Sequence, residues 1–140
     1  MTGRPKEENQ FTGVADRIGS AANIKYGTFD QIVAFWEDGG PRLPCLEMDS
    51  LAKHLIGWMA DGDVEVVRST FVELEHILEE YSGDQGAVIS SFVGPCLLEA
   101  LDDAISQFSE IGREDIVEQL YATVFALMGN ELRVLWSASR

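Results

Sequence analysis

The residues best placed to do chemistry are Glu73-x-x-His76. Two such motifs on facing helices, joined by two more glutamates, hold the carboxylate-bridged iron pair of ferritin-like bundles. The chain has two histidines, and the other one, His54, has Leu51 rather than a glutamate three residues before it. On a helical wheel His76 falls opposite the apolar seam, whereas an iron ligand must point inward. The spacing therefore predicts an exposed histidine beside acids, and no metal. Asp61-Gly62-Asp63 looks like a fragment of a calcium loop. That loop places its glycine sixth and a glutamate twelfth. Here the glycine comes second and the later acids belong to a helix, so no calcium is expected.

Other chemistries fare no better. Cys45 and Cys96 each follow a proline and are far apart, with no Cys-x-x-Cys pair. A thioredoxin-like centre or zinc ribbon is not supported. The expectation is two reduced, mostly buried thiols in a cytoplasmic protein. There is no Gly-x-Ser-x-Gly elbow and no phosphate-cradling loop. Carboxylate neighbours such as Glu79-Glu80 and Asp102-Asp103 diverge by roughly 100° on a helix and cannot act as a facing acid–base pair. The sequence predicts neither catalytic residues nor a cofactor, and a protein that is not an enzyme.

The elements that carry these residues are helical. Val64, Val67, Phe71, Leu74, Leu78 and Tyr81 recur every three or four positions, which lines one helix face. Asp63 is suited to its N-terminus, and Gly83 to ending it. Leu97, Leu98, Leu101, Ala104, Ile105 and Phe108 repeat the design. Gly94-Pro95 interrupts this second stripe and predicts a kink, or a new helix with Pro95 in its first turn. Residues 63–108 thus read as a helical hairpin turning at Ser82-Gly83-Asp84. Before it, helices are expected at Phe29–Asp38, stopped by Gly39-Gly40-Pro41, and at Leu51–Ala60, capped by Asp49 or Ser50. Arg42-Leu43-Pro44-Cys45 reads as an extended connector. After it come Glu114–Met128 and Glu131–Trp136, with a frayed end to Arg140. Trp36, Trp58 and Trp136 all fall on apolar helix sides, which predicts core positions.

Residues 1–28 are punctuated by Gly3, Pro5, Gly13, Gly19 and Gly27, and read as a flexible or weakly ordered segment in which Val14–Ile24 forms at most a weak helix. Residues 29–140 read as a single helical domain. The fold class is all-α: a compact bundle of about five to six helices with a HEAT-like central hairpin. No apolar run approaches the ~20 residues of a membrane span.

Net charge is −14, and its distribution is informative. Fifteen acids lie between Asp61 and Glu118, opposed only by Arg68 and Arg113. Such a field repels phosphate backbones, so nucleic acid is not an expected partner. It attracts basic protein surfaces. The outer wheel positions of the hairpin nominate Glu65, Val72, Glu73, His76, Glu79, Glu80, Asp84, Glu99, Asp102 and Asp103 as the partner-binding set.

The hairpin also suggests a family. Asp63-Val64-Glu65-Val66-Val67, Glu73-Leu74-Glu75-His76-Ile77-Leu78-Glu79, Val88-Ile89-Ser90 and Leu97-Leu98-Glu99-Ala100-Leu101 together resemble small acidic helical bacterial proteins encoded beside secreted toxin domains. Several of these are immunity proteins that neutralise a cognate toxin. The resemblance covers about residues 49–108 and has no catalytic residues to transfer. It implies an inhibitor that binds a basic toxin domain in the cytoplasm. The alternative is an adaptor or scaffold module that self-associates, for instance as a homodimer, or binds a host protein.

Overall fold

The computed structural model describes residues 6–39, 42–81 and 83–139, with backbone alone for 6–10, 37–39 and 139. The N-terminal five residues, the Gly40-Pro41 stop, Ser82 of the expected turn and Arg140 lie outside the described residues. The elements are α1 (Lys6–Tyr26), α2 (Thr28–Gly39), α3 (Pro44–Ala60), α4 (Glu65–Glu80), α5 (Gly83–Val93), a π turn (Gly94–Leu98), α6 (Glu99–Glu110), α7 (Glu114–Leu127) and α8 (Asn130–Ser139). The π turn joins α5 and α6 into one rod, so the described residues form seven helices and no strand. The expected all-α bundle is the fold, with one or two helices more than the sequence suggests.

The additional helix is α1. Where the sequence suggests weak order, residues 6–26 form a continuous helix of 21 residues. Val14, Ala15, Ile18 and Ala22 are buried along one side, and α1 packs most extensively on α4. Gly19, which lowers helix propensity, is where the ring of Phe29 lies against α1. A β-carbon at position 19 would sit 2.1 Å from that ring. The glycine exchanges roughly 1 kcal/mol of helix propensity for a close α1–α2 contact. Asn23 completes the junction, its side-chain oxygen accepting the Phe29 N–H at 2.7 Å.

Helix α3 begins at Pro44, about one and a half turns before the expected caps at Asp49 or Ser50. Proline's fixed φ and missing N–H suit the first helical turn. The two-proline connector is therefore shorter than the sequence suggests. Its Arg42 is nearly enclosed, and its guanidinium meets Glu47, which is fully buried (0% exposed). Arg42 Nε and Nη2 donate to Glu47 Oε2 and Oε1 at 3.0 and 2.6 Å, and Nη1 lies 2.8 Å from Asp16 of α1. Both hydrogen bonding to Glu47 and its charge hold the guanidinium pKa above its ordinary value. Among the described residues no buried side-chain polar atom lacks a partner.

One turn away, Cys45 and Cys96 are joined in a disulfide, with α-carbons 4.9 Å apart. This corrects the expectation of two reduced, buried thiols. Cys45 is exposed at the start of α3, and Cys96 is half-buried in the π turn. The two come together because α3 packs on the π turn and on α6. Nothing in a 51-residue separation signals that.

The central hairpin also differs from its reading. Its limbs follow one another in the chain, but α4 finds its broadest contact on α1, and α6 on α3 and α7. Gly94-Pro95 neither ends the rod nor splits it. The turn widens, and the Glu99 N–H reaches back five residues to the Gly94 carbonyl. Of the three tryptophans, Trp136 is core. Trp36 and Trp58 are half-buried, edge-on to Phe35 and stacked on Tyr26 at 4.6 Å respectively.

The last helix is held by a residue that the sequence does not single out. Helix α8 has free N–H groups in its first turn, as every helix does. The Glu75 carboxylate of α4 accepts from Glu131 N at 2.8 Å and Leu132 N at 3.1 Å. It fits because Gly129 has no β-carbon; one there would lie 2.5 Å from the carboxyl carbon. Replacing Glu75 with Ala should cost about 1 kcal/mol, the usual cost of a lost N-cap. Hydrogen exchange should locate the loss at the Glu131 and Leu132 amides. Unchanged protection there would show that the cap contributes nothing.

Candidate functional site

Helix α4 buries Val66, Val67, Thr70, Phe71, Leu74 and Ile77. Its outer stripe is therefore Glu65, Arg68, Val72, His76 and Glu79, all exposed, with Glu80 alongside and Asp84 opening α5. Val72 is 48% exposed. It sits among polar neighbours as an isolated apolar contact point. Arg68 places a cation inside the stripe, so this face is mixed rather than uniformly acidic.

Two members of the nominated set on α4 are already engaged. Arg17 of α1 donates through Nε to Glu73 at 2.8 Å, and its Nη2 lies 2.5 Å from Glu80. The bond from Arg17 lowers the Glu80 pKa, and Glu80 is the main cause of the raised Arg17 pKa. His76 Nδ1 is 4.0 Å from Glu73 Oε1 and points outward. The Glu-x-x-His motif is thus a surface arrangement neutralised by an arginine. No cluster of three metal-ligating side chains occurs among the described residues.

On α6, Glu99 and Asp103 are exposed, whereas half-buried Asp102 accepts a hydrogen bond from the Tyr121 hydroxyl of α7. Ala100, Leu101, Ala104 and Ile105 form the buried face. Because α4 packs on α1 and α8 while α6 packs on α3 and α7, the ten residues do not form one hairpin face. They divide into an α4 stripe continued by Asp84, and a shorter α6 stripe.

Asp63 is not the N-cap of α4: Val64 takes that position, with no side-chain cap hydrogen bond. The Tyr26 hydroxyl and Lys25, 3.0 Å away, bind the Asp63 carboxylate and hold its pKa below the ordinary range, aided by the Glu65 N–H. This ties the end of α1 to the α3–α4 turn. His54 is exposed on α3, with Nδ1 2.9 Å from the Ser50 carbonyl.

Among the described residues, several shallow hollows lie between helices, and the three widest are these. One of about 380 Å³ between α4, α5 and α8 is lined by Leu78, Tyr81, Glu131 and Leu135. One of about 270 Å³ lies between α2 and α3. A third, about 230 Å³, lies between α3 and α6 beneath Ile111. Their linings are largely apolar and suit side-chain insertion better than proton transfer.

Sequence reasoning missed Arg17 and Arg42 as partners of the acids, and Glu75 as the cap of α8. The signal for Arg17 was present in the α1 pattern Val14, Ala15, Ile18, Ala22, which puts Arg17 beside an apolar seam. No family model matches the chain, and no curated protein or solved structure matches it. No helix among the described residues is long and apolar enough to cross a membrane.

Proposed function

We propose that this chain is a non-catalytic binding protein of the immunity type, which docks on a basic toxin domain and neutralises it. The observation that carries this reading is the α4 outer stripe, where exposed Val72 lies between Arg68 and His76, with Glu65 and Glu79 one turn further out at either end. A small apolar centre within a charged rim is the usual anatomy of a specific interface. Carboxylates at such a rim replace the phosphates that a basic cleft would otherwise bind, and they speed encounter. The α6 pair Glu99 and Asp103 is a second, separate contact. The reading requires no metal, no cofactor and no nucleic acid.

The test is binding of the polypeptide encoded by the adjacent reading frame to wild type, to Glu65→Lys/Glu79→Lys and to Glu99→Lys/Asp103→Lys. These four side chains are exposed, so helicity should be retained. The α4 variant should bind at least about tenfold more weakly. Wild-type affinity should fall as salt rises. Full affinity in both variants, or an affinity indifferent to salt, would retire the acidic-surface reading. The second reading, a self-associating adaptor, draws on the apolar face between α2 and α3.

A further inference from the structure

Cys45 is the exposed half of the Cys45–Cys96 bond, and Cys96 is half-buried. Cystines that only brace a fold resist reduction, whereas exposed ones are the labile and regulatory kind. Both ends of this one sit where regular winding is weakest. Cys45 lies in the first turn of α3, whose N-cap, Leu43, makes no side-chain cap hydrogen bond. Cys96 lies in the π turn, a geometry found mostly as single turns and frequently at functional sites. Beneath the bond the core is closed. Met48 and Leu51 of α3, and Leu97 and Leu98 of the π turn, have no exposed surface. Those side chains keep α3 on the rod when the sulfurs part.

We propose that the Cys45–Cys96 bond is a redox-operated clamp, opened by a dithiol while the protein stays folded. A thiolate of the dithiol attacks Cys45 Sγ and forms a mixed disulfide. The S–S bond breaks, and Cys96 Sγ leaves as a thiolate that takes up a proton. The second thiolate of the dithiol then attacks its own sulfur in the mixed disulfide, and Cys45 leaves and is protonated in turn. Two electrons pass to the protein, and the dithiol ends as a disulfide. Two segments are released. Arg42 and Glu47 bracket Cys45, so a loosened first turn admits water to their buried pair. The π turn loses its tether to α3, which frees the start of α6 at Glu99. The α4 stripe is untouched, because α4 has its broadest contact on α1. The clamp does not depend on which partner the acidic stripes meet.

The test is reduction of the purified protein by dithiothreitol. Below the unfolding transition the rate should rise in proportion to dithiothreitol and stay flat with added urea, as direct attack on an exposed sulfur requires. A bond reached only through global unfolding would open faster with every increment of urea. The reduced protein should keep its circular dichroism. Two amides report the released segments: Glu47 N–H, donating to the Leu43 carbonyl at 3.0 Å, and Glu99 N–H, donating to the Gly94 carbonyl. Their hydrogen exchange should quicken at least about tenfold on reduction, by a local opening insensitive to urea. Glutathione disulfide should restore both the bond and the slow exchange. The Cys45→Ala/Cys96→Ala variant should exchange fast at both amides with or without dithiothreitol. A reduction rate that climbs with urea overturns the clamp, and so does loss of helicity on reduction. Unchanged exchange at Glu47 and Glu99, or free thiols in the unreduced protein, does the same.

Discussion

Arg42→Met should destabilise the fold by roughly 3–5 kcal/mol, the effect of stranding one member of a buried ion pair. Glu47 has no exposed surface, and both its carboxylate oxygens are bound by Arg42. Removing the guanidinium leaves a charge in the core without a partner. The reverse substitution, Glu47→Met, should cost less. Arg42 retains Asp16, which is itself half-exposed, and can lean toward water. The double variant Arg42→Met/Glu47→Met should regain much of what Arg42→Met loses, because an apolar pair of similar volume needs no charge compensation. Urea unfolding of the three variants measures each quantity. If Arg42→Met and the double variant unfolded at the same urea concentration as wild type, the pair would be a passive feature of the connector.

Reducing the Cys45–Cys96 bond should cost about 4 kcal/mol, from the loop entropy of its 51-residue separation. For a chain of this size that lowers the melting temperature by roughly 10–15 °C. A Cys45→Ala/Cys96→Ala variant should show the same loss without reductant, separating the missing constraint from any side effect of the reducing agent. The bond also bears on where the chain works. Disulfides persist in oxidising compartments and are rare in the cytosol, against the cytoplasmic placement expected from the sequence. Alkylating free thiols in intact cells before lysis decides between them. Two alkylated cysteines would mean a reduced, cytoplasmic protein; an intact cystine would place the chain in an oxidising compartment. Two titratable thiols in the purified, unreduced native protein would remove the bond altogether.

The legible parts of the fold are those with wide apolar stripes. Helices α2, α4, α6, α7 and α8 all follow runs of Val, Leu, Ile and Phe at spacings of three and four; α4, α6, α7 and α8 bury most of that face, whereas in α2 Phe29 is buried and Ile32, Val33 and Trp36 are half-buried. Helix α1 escapes notice because its buried side is narrow and built from small residues, Ala15 and Ala22 beside Val14 and Ile18. Its glycine, a breaker by propensity, serves as a docking notch for Phe29. Pro44 reads as part of an extended connector, whereas it opens α3. The outward positions of Glu65, Val72, His76, Glu79, Glu99 and Asp103 follow from periodicity alone. That Arg17 holds Glu73 and Glu80, or that Tyr121 holds Asp102, does not. Those pairings depend on which helices become neighbours, and chain order suggested the wrong ones for α4 and α6. The Cys45–Cys96 bond is invisible for the same reason.

The widened turn at Gly94–Leu98 acts as a torsional joint. An extra residue in one turn rotates everything beyond it by about 100° relative to an uninterrupted α-helix. The rod from Gly83 to Glu110 can therefore present its first half to α1 and α4 and its second half to α3 and α7. One continuous element serves two differently oriented halves of the bundle, and the stripe of Glu99 and Asp103 owes its azimuth to that single added residue. Shortening the joint by one position would restore regular winding. It would also swing those carboxylates about a quarter-turn around the axis, carrying the α6 apolar seam away from its neighbours.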